Sequence, residues 1–460
     1  MMRSVIYLCA GILLAGLNAV AASDSVDVTD RMQLADGLFR RSLFDLAARE
    51  YATLAETPDV PALDDVLFRL GECCRRLKKL PEAEAAYKRL IESFPESRNT
   101  LRARLQRALI LMESGGASLD EAVAEFTKLS EASMPAEVRA AALYHGGETL
   151  EKLKRPDEAL ARYEVLVKEY VDTDYGMYAG LRKAWLLTRR NTAEDRRRAL
   201  GIYLDLAHKA KDVKVVEEAS YFAAQVSLLD GRHEESANLF LALRTKFPNS
   251  PRVTESALPA AWANYHAGRY KEGSELLDRL IGHAQHPDRE EILYVKANCL
   301  RQLEQRADAV AMYTRQLTEF PKGKLAPPAQ YERLSTLYSD GKYQEVLDAA
   351  AQIVSPLPEY ADNIYWMSAE SAVAVQKVEA AVQNYRMLVD KCPESPLVKD
   401  ALYRLGWLLQ KQETWESAAA WFQQVAERFP KDPLASKALY AAGVCRSRLG
   451  QSDAALRDWT

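Results

Sequence analysis

One spacing recurs along most of this 460-residue chain: a small residue, an alanine 12 positions later, an aromatic or large residue four after that, and often a proline eight further on. Gly71, Ala83, Tyr87 and Pro95 show it, as do Gly406, Ala418, Phe422 and Pro430. Ala297, Ala309, Tyr313 and Pro321 repeat it, and so do Ala369, Ala381, Tyr385 and Pro393. Gly147, Ala159 and Tyr163 hold the same register without the proline, and Ala224, Ser236, Phe240 and Pro248 hold it with serine for alanine. Such self-similarity marks a stack of like units, not a closed globular core.

Each unit reads as two helices. Apolar residues fall at helical spacing before the small residue, as at Leu402, Leu405 and Leu409 around Gly406. Short polar turns such as Lys79-Leu80-Pro81, Arg155-Pro156-Asp157, Asp230-Gly231-Arg232 and Asp340-Gly341-Lys342 interrupt the pattern before it resumes. The small residue and the alanine let helix A and helix B approach closely. The residue at the aromatic position fills the gap to the neighbour, and proline ends helix B because it steers the preceding residue out of the helical region. One pair cannot bury its own apolar stripe, so the units must stack into a superhelical array with a concave face.

The period averages about 37 residues, slightly longer than the roughly 34 of the standard helix-pair repeat. The excess falls after helix B, in Phe94-Pro95-Glu96-Ser97 and Cys392-Pro393-Glu394-Ser395. The register predicts about 11 complete units from Arg31 onward and a twelfth from near Ser436. Segments 101–134, with Ser114-Gly115-Gly116 inside, and 177–212 resist framing and are expected to bend or divide the array. The expected organisation is a signal peptide over 1–22, a short acidic lead-in over 23–30 and the array over 31–460, its last repeat incomplete at Thr460.

The leader is read from Arg3, an apolar run from Val5 to Leu17 and the small residues Ala19, Ala21 and Ala22, followed by acidic residues. Tyr7 and Leu8 before Cys9 are not the small residues that lipidation requires, so the mature chain is expected to be exported, periplasmic or secreted, with no membrane insertion after cleavage. Composition agrees: 48% hydrophobic and 27% charged residues exclude wholesale disorder. A net charge of −4 without a basic stripe argues against nucleic acid, and the cluster Arg189, Arg190, Arg196, Arg197 and Arg198 reads as a solvated face. Cys73, Cys299 and Cys445 occupy the same place in separate repeats and so cannot all pair; with Cys74 and Cys392 they read as packing thiols.

With these residues in frame, the chain resembles the tetratricopeptide-repeat (TPR) family over nearly its whole mature length. The helix-B ending Tyr87-Lys88-Arg89-Leu90-Ile91-Glu92-Ser93-Phe94-Pro95-Glu96-Ser97 and the helix-A opening Ala401-Leu402-Tyr403-Arg404-Leu405-Gly406 are similar to bacterial envelope TPR proteins. These are the outer-membrane barrel-assembly lipoprotein and the TPR protein associated with the Tol–Pal system. The resemblance implies an all-α fold, a right-handed superhelical solenoid of about 11–12 helix-turn-helix repeats, and a periplasmic scaffold. It departs from those proteins in lacking a lipidated cysteine and an N-terminal coiled coil, and in being about twice as long.

In that architecture helix A lines the groove. Three residues before the small residue, or before Leu334 in its place, stands an aromatic in eight repeats: Phe68, Tyr144, Tyr221, Tyr294, Tyr331, Trp366, Tyr403 and Tyr440. These are the candidate partner-binding residues, since rigid rings give contact area at little entropic cost; the same rings also suit packing on the next helix. Charged neighbours Glu72, Arg75, Arg76, Glu148, Glu151 and Arg301 are expected to tune specificity.

No phosphate loop, nucleophile elbow or zinc-protease motif is present, and no catalytic residue, metal or cofactor is expected. His283 and His286 are the one metal-like spacing, and four ligands are not visible there. The function expected is that of an exported scaffold holding other proteins or peptides, in an oligomeric state the sequence leaves open. An alternative is the helical superstructure of a peptidoglycan-acting enzyme whose catalytic domain lies outside the chain.

Overall fold

The computed structural model describes residues 28–353 and 356–460. The leader expected over 1–22 lies outside these residues, as does the lead-in up to residue 27. The first described helix, Val28–Arg40, covers the expected array boundary at Arg31.

Among the described residues there are 25 helices and no strand. They form 12 successive A/B pairs, with one short extra helix, Pro251–Glu255, ahead of the A helix Ala257–His266. The fold is therefore all-α, a solenoid of helix pairs. The chain divides into two compact units, one ending at Val226 and one beginning at Ser227. Within each unit, consecutive helices pack on one another, and A helices also touch the A helices of the next pair.

The two segments that resist framing are ordinary pairs. Thr100–Ser114 and Ser118–Leu129 form one, and Asp174–Arg190 and Ala193–Lys209 form the other. Ser114-Gly115-Gly116 is an A–B turn in which both glycines take positive φ, +71° and +58°. In the second pair the register is lengthened and caps fix the ends. Thr173 and Thr192 side chains accept the Gly176 and Asp195 backbone N–H groups at 3.1 and 3.0 Å.

Most A–B turns share one geometry. The second residue after the helix end sits in the left-handed region: Ser42, Lys78, Lys154, Glu304, Gln376 and Glu413 do so without being glycine. Gly231, Gly268, Gly341 and Gly450 hold the corresponding place. The next N–H then reaches back to the helix, as Lys79 N does to Cys74 O at 2.9 Å and Arg155 N to Leu150 O at 2.9 Å. This bond satisfies a carbonyl the helix end would otherwise leave orphaned.

In each unit the core is built on buried helix-B rings. Tyr51, Tyr87, Phe126, Tyr163, Tyr203, Phe240, Tyr313, Tyr385 and Phe422 are all at most 1% exposed. Burying each contributes about 1.5–3 kcal/mol. The small helix-A residue is what admits the ring: a Cβ on Gly71 would meet Tyr87 Cε1 at 2.5 Å, and one on Gly406 would meet Phe422 Cδ1 at 2.7 Å. At the opposite edge of the pairs, polar ties link the loop after helix B to the first turn of its own helix A. Ser97 Oγ–H donates to Asp64 at 2.5 Å and Arg98 to Asp65 at 2.8 Å.

Candidate functional site

The aromatics singled out three residues before the small residue occupy matching places on the A helices. Phe68, Tyr144, Tyr294, Tyr331, Trp366 and Tyr403 are each half-buried. Five of the six lean on the core ring of their own helix B, 19 residues on. The ring centroids lie at 5.9 Å for Phe68–Tyr87, 6.1 Å for Tyr144–Tyr163, 6.2 Å for Tyr294–Tyr313, 5.6 Å for Trp366–Tyr385 and 5.4 Å for Tyr403–Phe422. Tyr331 instead stacks on Tyr360 of the following A helix, at 5.2 Å and 20°. One side of each ring is thus held by packing while part of it stays accessible.

Two of the eight depart from this pattern. Tyr221 is only 7% exposed, with Gln225 donating to its hydroxyl at 2.5 Å, so it presents almost no surface to a partner. Tyr440 is 66% exposed and meets Trp459 at 6.4 Å.

Charged residues on the same face are committed to one another. Glu72 accepts the Tyr87 hydroxyl at 2.6 Å and faces Arg75 at 3.4 Å. Glu151 accepts Tyr163 at 2.7 Å and is held by two nitrogens of Arg182 at 2.8 and 3.0 Å. Asp36 joins Tyr51 to Arg69, and Glu370 joins Tyr385 to Arg404, in the same arrangement. Glu148 lies 2.9 Å from His145 Nδ1, Arg301 lies 3.2 Å from Glu332, and Arg76 sits over the Phe44 ring. The residues expected to tune specificity therefore mostly position helices. Burial raises the Glu332 carboxyl pKa against the opposing pull of Arg301. Burial likewise pushes the Tyr87 and Tyr163 hydroxyls well above the usual phenol range, with the carboxylates of Glu72 and Glu151 adding to it.

The second unit carries a cluster that the sequence reading missed. Trp262, Tyr265 and His266 follow Ala261, the small residue of a pair with Gly273 and Leu277 in place of alanine and the aromatic. The Leu277 spacing from Ala261 was the available signal. Here the rings run on from one another: His233 stacks on His266 at 4.6 Å, His266 on Trp262 at 5.3 Å, and Trp262 meets Tyr294 at 6.4 Å. Trp262 Nε1–H donates to Glu291 at 2.5 Å. The histidines border an open cleft of about 860 Å³ that also includes Arg232, Glu235 and Asn238. Burial, and His233 beside it, lower the His266 pKa.

The remaining candidates resolve into structure. Arg190 pairs with Asp157, Arg198 lies 3.8 Å from Asp195, Arg196 bonds to Asn191, and Arg189 covers the Trp185 ring, so much of the arginine cluster clasps its own pairs. His286 Nδ1 accepts the Asp288 N–H at 3.1 Å, and no grouping of three or more potential metal ligands occurs among the described residues. Cys73, Cys74, Cys299 and Cys445 are buried free thiols; burial pushes Cys73 and Cys299 up to about 12, which leaves them unreactive. No helix among the described residues is long and apolar enough to cross a membrane.

Comparison with known proteins matches these features. Tetratricopeptide-repeat family models match residues 32–98, 141–173, 367–433 and 403–459, and the model of an outer membrane lipoprotein family matches residues 214–318. No curated protein matches significantly. Among solved structures, the chain is similar to a tetratricopeptide repeat protein from Parabacteroides merdae, at 14% identity over 58% of this chain and 96% of that one, with a TM-score of 0.38. It is also similar to the apo form of RapI, at 11% identity over 71% and 97% with a TM-score of 0.39. The Cut9–Hcn1 complex of the APC/C matches at 12% identity over 97% and 88%, with a TM-score of 0.32.

Proposed function

We propose that this tetratricopeptide-repeat protein, which resembles envelope TPR proteins, is an exported scaffold that holds a partner peptide or helix on the face built by its A helices. The observation that carries this reading is the half-buried rings at matching places on the A helices of each unit, Phe68 and Tyr144 in the first and Tyr294, Tyr331, Trp366 and Tyr403 in the second, most of them braced on a buried ring behind. A ring already held in place loses little freedom when a partner covers it, so its contact area is converted to affinity efficiently. Tyr440 adds to the second unit's set, and Tyr221 serves packing.

The envelope placement is supported by the match of residues 214–318 to an outer membrane lipoprotein family, and by the leader-like start of the sequence over 1–22. Repeats and all-helical solenoids of this kind typically scaffold other proteins, which supports a binding role.

The test has two parts. A tagged chain should be released with the periplasmic fraction on osmotic shock. Replacing Tyr294, Tyr331 and Trp366 together by alanine should remove the proteins that co-purify with it while the far-ultraviolet circular dichroism stays that of the parent. Unchanged co-purification in the triple variant would overturn the proposed surface.

A further inference from the structure

On that reading of the A-helix face, the second unit narrows the class of partner. Its rings form a tract from His233 through His266 and Trp262 to Tyr294, with Tyr331 stacked on Tyr360 beyond. Several charged groups along this tract already have partners. Glu291 is occupied by the Trp262 indole N–H at 2.5 Å, Arg301 by Glu332 at 3.2 Å, and Glu370 by both Tyr385 and Arg404. Asn298 in turn accepts the Tyr313 hydroxyl at 2.5 Å.

A partner drawing its counter-ion from these groups would have to break one of the pairs. That would leave the displaced group partly buried and unmatched, which is a large cost. A neutral segment meets no such cost, and aromatic or aliphatic side chains gain the exposed ring surface. We infer that the tract of the second unit binds an uncharged peptide segment carrying aromatic or aliphatic side chains. Its affinity then rests on ring contacts, so it is insensitive to salt, which screens only exposed charge.

The experiment selects random 12-residue peptides displayed on phage against the immobilised full chain, then measures the enriched peptides as synthetic, end-capped, fluorescent ligands. The result expected is enrichment of Trp, Tyr, Phe and Leu, near-zero net charge, and less than about a twofold change in Kd between 50 and 500 mM NaCl. The variant W262A/Y294A should weaken binding by about 10-fold or more. The charge-pair variant R301M/E332M, with unchanged circular dichroism, should stay within about threefold.

Enriched peptides that are acidic or basic, or a steep salt dependence, overturn the neutral class; if W262A/Y294A still weakens them, the scaffold surface itself stands. Enrichment that is indifferent to W262A/Y294A, or no enrichment, overturns the tract as a peptide site. In that case the co-purification test with Tyr294, Tyr331 and Trp366 reports separately on the broader reading.

Discussion

Tyr87 places its hydroxyl 2.6 Å from a Glu72 carboxylate oxygen, 15 residues earlier and on the other helix of its pair. The same offset joins Tyr51 to Asp36, Tyr313 to Asn298 and Tyr385 to Glu370. Where the core ring lacks a hydroxyl, the residue 15 before it is not an acid: Phe126 follows Leu111, Phe240 follows Gln225 and Phe422 follows Trp407. In these four pairs a buried phenol stands where an acceptor awaits it, which offsets the cost of burying a hydroxyl. Tyr203, 15 residues after Thr188, is an exception whose buried hydroxyl makes no hydrogen bond among the described residues.

This pairing makes Tyr87→Phe costly in a way its size does not suggest. We expect a loss of about 1.5 kcal/mol, the usual worth of a hydrogen bond to a charged acceptor. The loss should be read as faster amide exchange in helices Leu63–Arg76 and Leu80–Ser93. The reverse change, Phe422→Tyr, should destabilise as well, since Trp407 offers no acceptor. A stabilising Phe422→Tyr would refute the rule.

Gly71 separates two effects. Alanine there must push the Tyr87 ring aside, but it also recovers about 1 kcal/mol of helix propensity. Ala35, Ala297 and Ala369 already coexist with a tyrosine at the matching place, so the ring has an alternative seat. Gly71→Ala is therefore expected to be nearly neutral in urea unfolding. Gly71→Val, with two branches against the ring, should cost about 2–3 kcal/mol as overpacking. Equal effects of the two would mean that the close approach is not what selects glycine.

The left-handed turn residues offer a gain. Lys78 and Lys154 hold φ of 58° without being glycine. That conformation costs an L residue about 1–2 kcal/mol, while glycine's extra freedom in the unfolded chain returns about 0.5–1 kcal/mol of the difference. Lys78→Gly and Lys154→Gly should each stabilise by about 0.5 kcal/mol, raising the urea midpoint at unchanged slope. A lowered midpoint would show that the lysine side chains contribute more than their backbones cost.

Acid stability should report on one clasp. The Arg289 side chain, only 4% exposed, binds Glu319 at 2.5 and 3.0 Å, and Arg315 adds a contact at 2.9 Å. Their hydrogen bonds and charges hold the Glu319 pKa down at about 2. Because the folded value lies below the unfolded one of about 4.3, the stabilisation is complete above pH about 4.3 and is lost as pH falls towards 2. Glu319→Gln should flatten that part of the stability profile and leave Cys299 buried and unreactive. A profile identical to the parent between pH 2 and 5 would exclude this clasp as the cause.

Much of this fold was legible in the sequence because one register repeats. The small residue, the alanine and the core ring are set by local close packing, so each copy declares itself. Pairs that departed from the register were harder. In Thr100–Ser114 and Ser118–Leu129 the ring is Phe126, but its partner small position is Ile110, and the glycines lie in the turn instead. The half-buried rings were legible for the same reason as the core. The commitments of Glu72, Glu151 and Arg301 were not, because a carboxylate's partner depends on which neighbouring helix reaches it. Tyr221 likewise has the right spacing, and only the packing around it shows that it is buried. Trp262 and His266 lay at other positions on the same face, beside a leucine in place of the expected ring.

The side-chain ties described here are all short in sequence. Among the described residues, the tie between Lys152 Nζ and the Met112 carbonyl spans 40 residues, about one repeat. A chain wired only to its near neighbours behaves as a row of coupled switches: a fault or a fluctuation reaches the next rung and then fades. Such a molecule need have no single melting point, and it can yield at one rung to fit an incoming segment while the rungs on either side hold their shape.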